Sequence, residues 1–286
     1  MAIDTTFLKQ LDRLELIMSR KVNSAYQGER QSACVGQGLV LKDFAPYAAG
    51  DDFRKIDWKV FARTDKLYIK RFEEERNLTV HILVDYSGSM NYGRKTKKSE
   101  YAAMIGLGFC YMAMKNNERF ILSTFAEKIE TFKPRKGRGQ LGAAVDYLVN
   151  KRSESVTNFE DCITQYHKLM VKSRSMVIII SDFLYPTQQI QNALMRFKDH
   201  DIYLIQVLDE QELNLTMEGD FKLVDAETKT NMRTFITPYL RKTYQGALEG
   251  HIGKIKQIAT SIRGHYFTVG TDKELFDTFY LIFGGH

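Results

Sequence analysis

The sequence is poor in cysteine, and its three copies, Cys34, Cys110 and Cys162, are widely separated and never form a CxxC pair. An odd, scattered set argues against a disulfide framework or a zinc ribbon and fits a reducing compartment. Nucleotide-loop chemistry is missing too: no G-x-x-x-x-G-K-[ST] occurs, nor a G-x-S-x-G nucleophile elbow. Long apolar runs are absent. The most apolar stretch, AAMIGLGFCYMAM, has 13 residues, short of the roughly 18 that span a bilayer. The N-terminal MAIDTTFLKQLDRLELIMSRKV carries charges every few residues, unlike a secretory signal. These absences give the expectation of a cytoplasmic, unanchored chain with no membrane partner. A strong charge bias is also lacking: 41 basic against 35 acidic residues leave +6, too little by itself to imply nucleic acid.

What is present reads as a folded α/β protein. Hydrophobic residues make up 44% of 286, enough to bury a sizeable core. Phe7, Leu8, Leu11, Leu14 and Met18 recur at helical spacing, predicting an amphipathic helix over 5–20. Residues 26–65 suggest loops and a few short strands, so 1–76 is expected to form an annex. From residue 77 to 286, strand-length apolar runs alternate with helical patterns. The strands are LTVHILVDY, RFILSTFA, KIETFKP, SMVIIISDF, DIYLIQVLD and HYFTVGT. Helices are expected near 97–115, 139–151, 158–172, 187–198, 238–262 and 272–283, the fifth with Ile252, Ile255, Ile258, Ala259 and Ile262 on one face. Apolar runs without clean alternation, such as VIIIS, are those of strands buried on both faces. The order predicts a doubly wound, mostly parallel sheet flanked by helices. Turn residues between about 211 and 236 predict a β-hairpin insertion.

In such a sheet, ligands bind beyond the carboxyl ends of the strands. The run LTVHILVDYSGSM ends there in Asp85, Ser87 and Ser89, and SMVIIISDF ends in Ser181 and Asp182. Between them, SVTNFEDCI places Thr157 and Asn158 at a helix start. Gly88 is expected to give the turn its backbone freedom. Serine and aspartate also suit a polar turn or helix cap. Two carboxylates and three hydroxyls, however, form an all-oxygen set of the kind hard divalent cations prefer: Mg²⁺ first, with Mn²⁺ or Ca²⁺ as alternatives. No motif supplies a histidine as base for a serine nucleophile, and His81, inside a strand, reads as a packed core residue.

DYSGSM resembles the D-x-S-x-S motif of von Willebrand factor A domains. The resemblance implies a metal-ion-dependent adhesion site, a threonine from a second loop at Thr157 and an aspartate from a third at Asp182. Ser87, Ser89 and Thr157 would then ligate directly or nearly so, Asp85 and Asp182 directly or through water. An open coordination position would accept an Asp or Glu of a protein partner. The third loop departs from the common D-G by reading Asp182-Phe183. Upstream, YAAGDDFRKIDWKVFARTDKLYIKRFEEER resembles the signature of a bacterial domain-of-unknown-function family, number 58, whose members resemble von Willebrand A domains and are often encoded beside MoxR-type AAA+ ATPases. This implies a non-enzymatic, metal-dependent interaction module, an adaptor or chaperone-like partner of such an ATPase.

Other readings carry less. An enzyme using the same metal for phosphoryl transfer or hydrolysis would need a base, for which Glu160 and Asp161 are the nearby carboxylates. A nucleic-acid module would use the basic cluster of Lys133, Arg135, Lys136, Arg138, Lys151 and Arg152, which lacks interleaved aromatics. GRGQLG follows polar sequence and reads as a loop entering a helix. In the signature, Asp51, Asp52, Arg54, Asp57 and Arg63 are expected to fix a turn and clamp the annex to the main domain, with Trp58 burying area.

Overall fold

The computed structural model describes residues 40–48, 50–73, 79–132, 140–151, 157–215, 219–224 and 231–284. The expected helix over 5–20, most of the basic cluster and Glu74–Arg76 lie outside them. The described residues fall into two compact units, one holding those up to 73 and the other those from 79 onward.

In the first unit, β1 (Val40–Pro46) pairs antiparallel with β2 (Tyr68–Glu73). A 3₁₀ turn (Phe53–Lys55) and the short helix α1 (Trp58–Thr64) lie between them. Ala45, Ile56 and Ile69 form a small core against Tyr47. The signature aspartates hold backbone turns. Asp51 accepts the Ala48 N–H, Asp52 caps the 3₁₀ turn, and Asp57 caps α1 by accepting from Lys59 and Val60. Trp58 departs from expectation: it is 60% exposed. It opens a two-turn helix none of whose residues is buried, so its ring covers little beyond an edge contact with Phe61.

The second unit carries β3 (Thr79–Asp85), α2 (Lys98–Lys115), β4 (Arg119–Phe125), β5 (Ile129–Thr131), α3 (Gln140–Asn150) and α4 (Phe159–Met170). It continues with β6 (Met176–Ser181), α5 (Thr187–Leu194), β7 (Asp201–Leu208), α6 (Glu210–Asn214), β8 (Gly219–Val224) and β9 (Asn231–Ile236). Helix α7 (Pro238–Ser261), β10 (His265–Gly270) and α8 (Leu275–Gly284) complete it. Six strands form one sheet in the order β10-β7-β6-β3-β4-β5. All neighbours are parallel except β4 and β5. This is the mostly parallel, helix-flanked α/β fold the sequence predicts, of the von Willebrand factor A kind. The insertion is the antiparallel pair β8–β9, preceded by α6, which the turn-rich sequence did not reveal.

Burial follows from the layers. β6 is buried throughout, as its unbroken apolar run requires. The 13-residue apolar stretch lies within α2, where Gly106 lets the helix press onto β3. A Cβ there would meet Val84 Cγ2 at 3.0 Å. Ile255 and Ala259 of α7, with Ile262 just past its end, enter the core with Phe197 and Ile202. His81 is a packed core residue, sharing a 2.8 Å hydrogen bond with the Tyr166 hydroxyl.

The strand order also fixes where a site can form. The chain leaves β3 for β4 on one side, then returns to place β6 on β3's other side. The carboxyl ends of β3 and β6 therefore flank the topological switch point, where loops diverge and leave a crevice.

Candidate metal centre

Asp85 ends β3 and Ser181 ends β6, and Val84 lies opposite Ile180 in the register, so the two ends sit side by side. Ser181 Oγ donates to Asp85 Oδ2 at 2.6 Å, and the Tyr185 hydroxyl donates to the same oxygen at 2.5 Å. Asp85 Oδ1 accepts the backbone N–H of Ser87 at 2.8 Å. That bond folds the chain back over the strand end and brings Ser87 Oγ within 3.0 Å of Ser89 Oγ. The turn then runs as a 3₁₀ segment, Gly88–Asn91. Gly88 does not supply left-handed freedom, contrary to expectation. Within this loop that conformation falls to Gly93 (φ 152), where a Cβ would collide with Thr96 O. The Ser87 N–H to Asp85 bond already makes the bend, so an ordinary φ suffices at 88.

The second loop reaches the same edge through β4. Tyr86 donates its N–H to Phe125 O, and Asn158 donates its N–H to Ala126 O. Thr157 thereby follows the chain to the end of β4, the strand next to β3, and Asn158 caps α4 by accepting from Asp161 N. The third loop carries Asp182, whose carbonyl accepts from Gln206 Nε2 at 2.7 Å. Phe183 follows in the left-handed region (φ 50), which favours glycine. Its N–H donates to Ser181 Oγ, its carbonyl accepts from His251 Nε2, and its ring is fully buried beside Phe159. Packing and hydrogen bonds hold a bulky residue where backbone preference would not.

All five residues singled out from sequence, Asp85, Ser87, Ser89, Thr157 and Asp182, thus lie on loops at one edge of the sheet. Asp85, Ser87 and Asp182 are buried, while Ser89 and Thr157 are half-buried. A ligand approaching the edge would meet the Ser89 and Thr157 hydroxyls first, with the carboxylates behind. Burial, reinforced by Asp182, raises the Asp85 carboxyl to about 6, against the opposing pull of Ser181, Tyr185 and Ser87. Glu160 faces Asn192 and Asp161 faces Asn158, so the two carboxylates considered as bases are engaged at α4.

Three residues here were not singled out by their sequence. Tyr185 stacks on Phe159 with centroids 4.9 Å apart and aims its hydroxyl at Asp85. Lys98 is fully buried, with Nζ 2.9 Å from Asp182 Oδ2 and 2.7 Å from Glu212 Oε1. Although burial alone would lower its pKa, Asp182 and Glu212 raise it, so the ammonium stays charged. Glu212 Oε2 in turn accepts Asp209 N in the capping box of α6. The available signal was Lys98 on the apolar stripe of α2, in step with Ala102, Ile105 and Phe109. The charged run KTKKSE around it masks that stripe.

The donor set suits a hard cation. Adjacent oxygens of an Mg²⁺ octahedron with bonds of 2.0–2.1 Å lie about 3 Å apart, the spacing of Ser87 Oγ and Ser89 Oγ. Among the described residues no group of three or more His, Cys, Asp or Glu could hold a metal by itself, so any ion here would need these hydroxyls.

The chain is 26% identical to the uncharacterized protein Rv1480 of Mycobacterium tuberculosis, covering 91% of this chain and 83% of that one. The crystal structure of the conserved hypothetical protein BatB from Bacteroides thetaiotaomicron is similar at a TM-score of 0.45 and 14% identity, covering 73% of this chain and 98% of that one. An aerotolerance-related membrane protein from Bacteroides fragilis gives 0.46 and 14%, covering 73% and 97%. That neighbour, a membrane protein, overturns the expectation of a cytoplasmic, unanchored chain. No helix among the described residues is long and apolar enough to cross a membrane. A globular fold carries no mark of its compartment in its core, so that observation does not locate the chain. The model for DUF58, protein of unknown function, matches residues 43–252, most of the sequence, and the chain belongs to that family.

Proposed function

We propose that the edge formed by Asp85, Ser87, Ser89, Thr157 and Asp182 binds a divalent cation, Mg²⁺ or Mn²⁺, and through it a carboxylate of a protein partner. The observation that carries this reading is the pair of serine hydroxyls 3.0 Å apart over a buried carboxylate. Ser87, Ser89 and Thr157 would hold the ion, with Asp85 and Asp182 balancing its charge. When bound, the ion supplies an electrophilic position open to an incoming carboxylate. The chain's own residues orient the hydroxyls, bury the balancing charge and leave the outer face to the partner. We read the role as binding rather than catalysis: the carboxylates at α4 hydrogen bond to asparagines, and the hydroxyls of Ser87 and Ser89 hydrogen bond to each other. By the family resemblance, the partner system is a MoxR-type AAA+ ATPase.

The test is calorimetric titration of Mg²⁺ and Mn²⁺ into wild type and the Ser87→Ala/Ser89→Ala variant, with melting curves in EDTA. The variant keeps the buried carboxylates and so the fold. Binding by wild type that is lost in the double variant is expected. Equal heats and equal melting temperatures in both proteins, with and without metal, would sink the reading.

A further inference from the structure

We propose that Lys98 is a built-in competitor cation that sets how tightly this edge takes a divalent metal, an inference that rests on the metal-site reading above. Two carboxylates, the buried Asp182 and the half-buried Glu212, share one ammonium. That ammonium occupies Asp182 Oδ2 at 2.9 Å, while the other oxygen, Oδ1, accepts the Leu184 N–H at 3.3 Å. Asp182 is therefore already neutralised before any metal arrives. The side chains of Lys98 and Asp182 are 0% and 1% exposed, so their interaction is little screened by salt.

The ammonium is held in place. Its stem begins in the first turn of α2, and Glu212 Oε1 also holds it at 2.7 Å. Glu212 is itself fixed, because Oε2 caps α6 through Asp209 N at 2.8 Å. Asp209 is tied further by Arg94 N and the Thr271 hydroxyl. A cation drawn to Asp182 must share that carboxylate with a buried positive charge, and each weakens the other's hold. Glu212 partly offsets the repulsion by drawing the ammonium toward α6. The arrangement also explains how a fold with two adjacent buried carboxylates stands without metal.

This assignment predicts a pattern of signs that a purely structural lysine does not. Lys98→Met should tighten Mn²⁺ and Mg²⁺ binding at least tenfold. Glu212→Gln should weaken it at least threefold, although Glu212 touches the five candidate ligands only through Lys98. Lys98→Met/Glu212→Gln, which removes one charge of each sign, should bind as tightly as the single lysine variant. If Lys98 merely supports the fold, all three substitutions weaken binding.

Isothermal titration of each protein with Mn²⁺ and with Mg²⁺ at pH 7.5 reads this directly. Metal-free melting curves give a second measure: Lys98→Met should melt lower than wild type without metal and regain more on adding it. Equal or weaker binding by Lys98→Met, or tighter binding by Glu212→Gln, overturns the proposal. If Lys98→Met does not fold, the double variant and Glu212→Gln decide the matter by the same signs. Metal binding that disappears in Ser87→Ala/Ser89→Ala but ignores Lys98 and Glu212 overturns this proposal alone. No binding by any of the proteins overturns it together with the metal-site reading.

Discussion

His251 donates from Nε2 to the carbonyl oxygen of Phe183 at 2.8 Å, tying the long helix α7 to the loop that carries Asp182. Phe183 sits at φ 50, a conformation that costs a non-glycine residue about 1–2 kcal/mol. The structure compensates with a fully buried ring and with bonds on both sides of the peptide. His251→Ala should leave that carbonyl unpaired and cost about 1–3 kcal/mol, with His251→Gln recovering part. Phe183→Gly should relieve the backbone yet lose more by vacating the ring's space, a net loss of about 2 kcal/mol. Equilibrium urea unfolding measures both.

Tyr185 donates to the same oxygen of Asp85 as Ser181 does. Its value depends on the carboxylate being charged. Tyr185→Phe should therefore destabilise the metal-free protein by about 1–3 kcal/mol at pH 7.5. At pH 5, below the value of about 6 to which burial lifts Asp85, the cost should shrink. An identical cost at both pH values would show that the hydroxyl does not serve the charge.

His81 and Asp85 lie on one strand and pull stability in opposite directions with pH. Burial, aided by His200 and Arg119, lowers His81 from 6.5 to about 4. The unfolded chain then binds the extra proton more readily, so His81's contribution is present above pH 6.5 and lost as pH falls toward 4. Asp85 is raised from 3.8 to about 6, so the folded chain binds its proton first and stability grows as pH falls through that window. His81→Gln should remove the first effect and leave the second. Relative to wild type, the variant should gain about 3 kcal/mol between pH 7 and pH 4, read from urea midpoints at a series of pH values.

Gly106 faces Val84, the residue before Asp85, so closely that a methyl group would stand 3.0 Å from Val84 Cγ2. Alanine is the better helix former by about 1 kcal/mol. Val84 is fully buried within the sheet and cannot yield. Gly106→Ala should nevertheless destabilise, by about 1 kcal/mol net, and differential scanning calorimetry should show a lower melting temperature. A rise would mean that α2 can move off β3.

The sequence alone determined most elements of the second unit, α6 excepted, because long apolar runs and helical stripes report burial directly. The Ile255 and Ala259 face of α7 and the unbroken run of β6 are examples. It also determined which residues gather at the sheet edge, since Asp85 and Asp182 each follow a buried strand and a parallel sheet turns both ends the same way. Tertiary structure alone decided what surrounds those carboxylates. Lys98 and Glu212 are separated by more than a hundred residues, and only the order β7-β6-β3 brings α6 against the start of α2. A lysine in a charged run looks solvated until a fold supplies two carboxylates to neutralise it. Phe183 tells the same story from the backbone side: nothing local favours a left-handed phenylalanine, and it is held there by a histidine 68 residues away and by the core its ring fills.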